Sequence, residues 1–154
     1  MSGQQAWKGP VTAVSTTLAD LGHISDFGKT RVEANGNSFM LVKATAAALV
    51  EGEAVVLSSI TSSEYIVVHS ADLLKGVFGL TQTAVAASSY FWVQVGGIAN
   101  AISDDAVAVP VVQELVQVGG TDGRLELWVP ATGTPVGLAL TTAAAAALFK
   151  VKLF

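Results

Sequence analysis

The chain has no cysteine, only four prolines and few charges. Without cysteine there is no disulfide and no thiolate metal site, and the redox compartment stays open. Charged residues are 13% of the 154, against roughly 25% in an ordinary soluble domain. Hydrophobic residues make up 51%, and mean hydropathy is +0.56. The length suits one domain, which still exposes about a third of its unfolded-chain surface. With so few charges, that surface must be largely Ser, Thr, Ala, Gly and Val, which is how the cores of subunit interfaces look. The composition points to an obligate oligomer or a lattice component, with a monomer wearing an uncharged Thr/Ser/Gly coat as the alternative.

The eight basic residues (Lys8, Lys29, Arg31, Lys43, Lys75, Arg124, Lys150 and Lys152) form no stripe, and net charge is −4. No nucleic-acid partner is expected, because nothing gathers positive charge along a phosphate backbone. The opening "MSGQQAWKGP" lacks the basic-then-apolar order of a signal peptide. Two charge-free runs, 76–103 and 127–149, compete as membrane spans. Gln82, Gln94 and Asn100 break the first, and Pro130, Gly133, Pro135 and Gly137 break the second. Neither supplies about 20 unbroken apolar residues, so no membrane is expected and buried strands account for both.

What is present alternates with a period of two. In "FMLVKA", Phe39, Leu41 and Lys43 share one face, with Met40 and Val42 opposite. "EYIVVH" (64–69) is a β-branched run. "YFWVQV" sets Phe91, Val93 and Val95 against Tyr90, Trp92 and Gln94; "RLELWV" sets Leu125, Leu127 and Val129 against Arg124, Glu126 and Trp128. "LFKVKLF" turns Phe149, Val151 and Leu153 inward and Lys150 and Lys152 outward. Such alternation with turn residues between the runs is the half-buried antiparallel pattern. Asn35-Gly36-Asn37, "TDG" at 121–123 and "EGE" at 51–53 supply turns. Two short alanine-rich stretches, Ala44 to Val50 and Thr141 to Ala147, are candidate helical turns. "VQVGG" occurs at 93–97 and again at 116–120, which reads as two strands ending alike with glycines for a bulge or sharp exit. The expected fold is all-β, an antiparallel sandwich or a tulip-like barrel over 31–154, with one or two helical turns. Residues 1–30 are Ser-, Thr- and Gly-rich with scattered apolar positions. They read as an extended arm anchored by Trp7, or as a frayed tail.

Chemistry is sparse. His23 and His69, with Asp20 and Asp26 near the first, fall short of the four ligands of a zinc site, and the expected role is a hydrogen-bonded or solvent-facing histidine. Asp104-Asp105 lacks the spaced ligand series of a calcium loop and reads as a solvated turn. No serine sits in Gly-x-Ser-x-Gly or Ser-x-x-Lys, and no glycine loop cradles phosphate. Glu114 and Glu126 flank a hairpin as a carboxylate pair would, but solvent-side gatekeeping of strands suits them better. No catalytic, cofactor or metal residues are assigned. Candidate interface residues are Trp7, Tyr90, Trp92 and Trp128, because Tyr and Trp join apolar area to a polar tip. The aromatic strand itself reads equally as an interface strand or as one buried on both faces.

The segment "LADLGHISDFGKTRVEANGNSFMLVKATAAALVEGEAVVL" (18–57) resembles the front half of head decoration, or capsid cement, proteins of tailed double-stranded DNA phages. The shared features are Gly28 to Val32, the Asn35-Gly36 turn, the strand Phe39 to Lys43 and the stretch Ala46 to Gly52. "FGLTQTAVAASSYFWVQVGG" (78–97) resembles the middle of that family, and "PVGLALTTAAAAALFKVKLF" (135–154) its end. Phe91 stands where a small residue is expected, and 100–130 carries no cue. The resemblance implies a β-rich homotrimer on the outer surface of a head, binding the major capsid protein and clamping its subunits together. The competing readings are another structural virion protein (head fibre, tail or minor capsid component), a carbohydrate-binding β-sandwich, or a small hydrolase.

Overall fold

The computed structural model describes residues 7–71, 76–104 and 109–154. Its strands are β1 (Val14–Ser15), β2 (Thr30–Val32), β3 (Ser38–Ala44), β4 (Ala54–Thr61), β5 (Glu64–His69), β6 (Gly79–Thr81), β7 (Tyr90–Ile102), β8 (Leu115–Val118), β9 (Leu125–Leu127), β10 (Gly137–Ala139) and β11 (Leu148–Leu153). The fold is all-β, and it is a barrel. β3, β5, β4, β6 and β7 pair in that order, and β7 returns to β3, closing a ring in which only β3 and β5 run parallel. Alternation fills it: Val42 and Ala44 from β3, Val55 from β4, Val67 from β5, and Phe91 and Val93 from β7 form its core with Leu49 and Val85.

β7 is 13 residues, roughly 43 Å at strand rise and about twice the usual strand length. Its first half belongs to the closed ring, and its second half starts another. Ala99 to Ile102 pair with Val151 to Leu148 of β11, which pairs β10, which pairs β8, which pairs β9. A parallel bridge from Ser103 to Leu125 brings β9 back to the end of β7. Ala99, Ala101, Val116, Val118, Leu125, Ala139, Phe149, Val151 and Leu153 fill this second, smaller ring.

The passage between the rings falls on the first Val-Gln-Val-Gly-Gly. Here the expectation of a strand end is corrected: the strand continues, and the glycines serve the bulge instead. Register against β3 shifts at Val95, because Ser38 faces Gly96 while Phe39 faces Gln94. Gly97 has φ of +87° and lies against Asn37, whose Oδ1 accepts from Ile98 N at 2.9 Å. A side chain there would meet both a left-handed backbone and a filled space. Gln94, buried, donates to Gly96 O at 3.0 Å and Ile98 O at 2.9 Å and so stitches the irregular stretch together. The second copy of the motif does end a strand, at Val118.

A second link joins the rings. Gly123, in the β8–β9 turn, donates to Ser70 O and accepts from Ala54 N, each at 2.7 Å. The helical turns lie elsewhere than expected. Leu49 exchanges backbone bonds with Val85 as a bridge, so Ala44 to Val50 is not helical, and Thr141 to Ala147 is turn and irregular chain. Short alanine runs cannot nucleate a helix against such pairing. Two single 3-10 turns form instead at Leu18–Asp20 and Ile24–Asp26. No helix among the described residues is long and apolar enough to cross a membrane.

Candidate interaction surfaces

The segment from Trp7 to Lys29 lies along the first ring. β1 pairs β7 through Val14 and Ser15, Lys8 N donates to Leu21 O, and Arg31 reaches Gly9 O at 3.0 Å. Residues 1–6 of the expected arm are outside the described residues. The segment covers the outward face of β3 and β7. Phe39, Leu41, Tyr90 and Trp92 pack there with Leu21 and Phe27.

Three of the four candidate interface residues meet on or near this face. Trp92 is 1% exposed and Tyr90 8%, so of the two readings of the strand both faces are covered within the chain itself. Trp7, half-buried, meets Trp92 edge-to-face at 5.0 Å, and the Arg31 guanidinium lies 5.1 Å from the Trp92 ring. The Tyr90 hydroxyl donates to Glu64, whose other oxygen is 3.5 Å from Lys43 Nζ. That bond, reinforced by burial, pushes the Tyr90 hydroxyl above its ordinary pKa. Burial pulls the Lys43 ammonium down, but the charges and hydrogen bonds of Glu64 and Tyr90 outweigh it and leave the group raised. Trp128 stands apart on the second ring. It is half-buried, with its indole N–H donating to Gly133 O at 2.9 Å.

The polar candidates serve the fold. His23 caps the second 3-10 turn, accepting from Ser25 N, while buried Asp26 accepts from His23 N at 2.8 Å. His69 Nε2 is 3.3 Å from Asp122 across the junction of the rings. Among the described residues no group of three or more His, Asp or Glu side chains converges. Two expectations are corrected. Asp104 is 1% exposed rather than solvated, accepting from Thr121 N and Oγ1, while Asp105 lies outside the described residues. Glu126 is 8% exposed rather than a solvent-side gatekeeper. It faces Gln117 across the β8–β9 ladder and accepts from its amide at 2.9 Å, under the loop that carries Trp128 and Thr132. Glu114 instead accepts from Val111 N, so the two carboxylates form no pair.

Charges such as Lys29, Asp122, Lys150 and Lys152 are exposed, but one stretch of the surface is apolar and neutral. β4 and β5 extend past the ring as a two-stranded ribbon, because β6 pairs only Ala54 and Val55 of β4. Residues 57–63 (Leu-Ser-Ser-Ile-Thr-Ser-Ser) are all exposed and carry no charge. At the ribbon's root a cleft of about 210 Å³ opens between Val77, Phe78, Val95, Pro135, Val136 and Phe154, with Thr134 at its edge. Sequence reasoning missed both, since an exposed strand and a buried one can be equally apolar.

No family model matches the chain, and no curated protein matches it in sequence. The resemblance to head decoration proteins therefore rests on the segments quoted above. Among solved structures the chain is similar to the head fibre gp8.5 N base of bacteriophage phi29. The TM-score is 0.59, over 75% of this chain and 92% of that one, at 14% identity. At that identity the likeness is one of fold.

Proposed function

We propose that this chain is a structural protein of a phage head, seated on the outer surface of the capsid and binding the major capsid protein. The observation that carries the reading is the shared fold, which spans nearly the whole of a head-fibre base. The exposed, uncharged stretch 57–63 supports it, because a subunit held in a lattice replaces solvent contacts by contacts with neighbours. Decoration works by mass action: whatever binds only the assembled shell stabilises it, and several weak contacts on one oligomer add up to firm attachment. A homotrimer on the shell would supply that multivalency. A second reading, the base of a longer head fibre, is favoured by the same likeness, since the neighbour is itself described as such a base.

Mixing the purified chain with heads that lack it, followed by sedimentation, tests the proposal. Saturable co-sedimentation at a fixed number of copies per capsid subunit is expected. A chain that stays in the supernatant while the heads pellet intact would overturn it.

A further inference from the structure

Of the asparagines Asn35, Asn37 and Asn100, Asn35 alone precedes a glycine. Such a pair can react with itself. The glycine nitrogen attacks the side-chain amide carbon and closes a succinimide ring, and a residue without a side chain leaves that approach open. Asp-Gly forms the same ring with water as the leaving group, and one such pair is present, Asp122-Gly123. By sequence both pairs are candidates; the fold separates them.

Asn35 and Gly36 sit at the tip of the β2–β3 hairpin. Both are exposed, and no atom beyond the chain neighbours lies within 4 Å of where a Gly36 side chain would start. Asn35 Oδ1 accepts from Asn37 N at 3.0 Å, an Asx turn that folds the side chain over the Gly36 peptide. Nucleophile and amide carbon are thus held together beforehand, which is how an intramolecular attack gains its rate. The Asn37 N–H also supports the negative charge that gathers on Oδ1 as the ring closes. Asn35 Nδ2 makes no hydrogen bond among the described residues and is free to leave. One bond restrains the attack, Gly36 N to Glu33 O at 2.9 Å. It lies in an exposed turn beside β2, a three-residue strand at the end of the sheet order, and such ends open well below the free energy of global unfolding. The other sites are closed. Gly123 is buried and its nitrogen donates to Ser70 O at 2.7 Å across the ring junction. Asn37 Oδ1 is taken by Ile98 N, and Asn100 lies within β7 with its amide donating to Glu51.

We propose that Asn35 is a site of spontaneous deamidation in the folded protein, and that its isoaspartate product loosens the joint between the two rings. The bond from Gly36 N to Asn35 Cγ forms, the Cγ–Nδ2 bond breaks, and ammonia leaves with the proton of Gly36 N. Water then opens the ring on either side of that nitrogen. Opening at Cγ gives aspartate; opening at the Asn35 main-chain carbonyl gives isoaspartate, with the backbone running through Cβ and Cγ. Either product adds one negative charge to the net −4. Isoaspartate also lengthens the turn that the Glu33 N to Asn37 O bond closes at 2.9 Å. Asn37 is the residue that holds Ile98 N at the Gly97 bulge, so its displacement reaches the passage between the rings. Aspartate keeps an acceptor for Asn37 N and leaves the turn in place.

Peptide mass mapping of the whole folded chain, aged in mildly alkaline buffer, tests the site, with electron-transfer fragmentation to tell isoaspartate from aspartate. The peptide holding Asn35 is expected to gain the mass of an amide-to-acid change, as a mixture of both products, before any isomerisation at Asp122. Asn35→Gln, checked for its strands by circular dichroism, should lose that gain, because its longer side chain closes a ring far less readily. Hydrogen exchange at the Ile98 amide should quicken in the isoaspartate-bearing chain and stay at the unaged rate in freshly made Asn35→Asp. An aged chain with Asn35 intact, isomerisation at Asp122 first, or a gain that persists in Asn35→Gln would overturn the site. Unchanged exchange at Ile98 in the isoaspartate-bearing chain would overturn its effect on the joint.

Discussion

At the residue level, Trp92 and Tyr90 show how one strand face is put to use. The alternation in "YFWVQV" correctly separated Phe91 and Val93 from Tyr90 and Trp92. It could not say what lay over the second pair, since the covering residues Leu21 and Phe27 are about seventy positions away and have no periodic signal. Trp92→Ala is expected to cost about 3–5 kcal/mol, the usual range for deleting a buried large aromatic, read as a lowered midpoint in urea at unchanged slope. Tyr90→Phe leaves the ring and removes the bond to Glu64, a loss of about 1.5–3 kcal/mol for a hydrogen bond to a charged group. The pH dependence follows in sign. Tyr90 and Lys43 both have raised folded-state pKa values, so their contribution is complete below their ordinary values of 10.0 and 10.5 and is lost as pH rises through the raised ones. Denaturation at pH 8 and pH 11 should show a smaller alkaline loss in Tyr90→Phe than in the wild type. Equal losses would remove Tyr90 from the account.

At the level of elements, β3, β5 and β11 were legible almost to the residue, because each has one face in a core and the other facing elsewhere. The β4–β5 turn was legible as a boundary at Ser62-Ser63, but not in its conformation. Ser62 and Ser63 adopt φ of +50° and +69°, the conformation that Asn-Gly favours, and two serines mark a strand boundary without announcing that backbone. Ser62→Asn with Ser63→Gly should therefore stabilise the protein by about 1 kcal/mol, raising the melting temperature by about 2–4 °C. An unchanged or lowered melting temperature would mean that the ribbon tip is held by something other than its local turn. Glu126 was misplaced for a related reason. A glutamate on an alternating strand reads as outward, and outward it points, but the loop carrying Trp128 and Thr132 folds back over it.

At the level of the molecule, the all-β class could be read from the sequence, whereas the sharing of β7 by two rings could not. That arrangement depends on the 13-residue strand surviving two glycines, which composition alone marks as a stop. The segment before β2 also behaves as a cover for the first ring rather than as a free tail from Trp7 onward. Deleting residues 2–16 removes Trp7 and the β1 pairing, so Trp92 should become accessible to acrylamide quenching and head binding should weaken. Unchanged quenching and unchanged binding would show that the cover is dispensable.

The location of the protein on the particle is the claim on which the rest depends. Gold-labelled antibodies against the folded chain, applied to intact phage particles and viewed by electron microscopy, test it most directly. The account expects gold distributed over the outer surface of the head and absent from the tail. Gold confined to the tail, or none on intact particles, would contradict it.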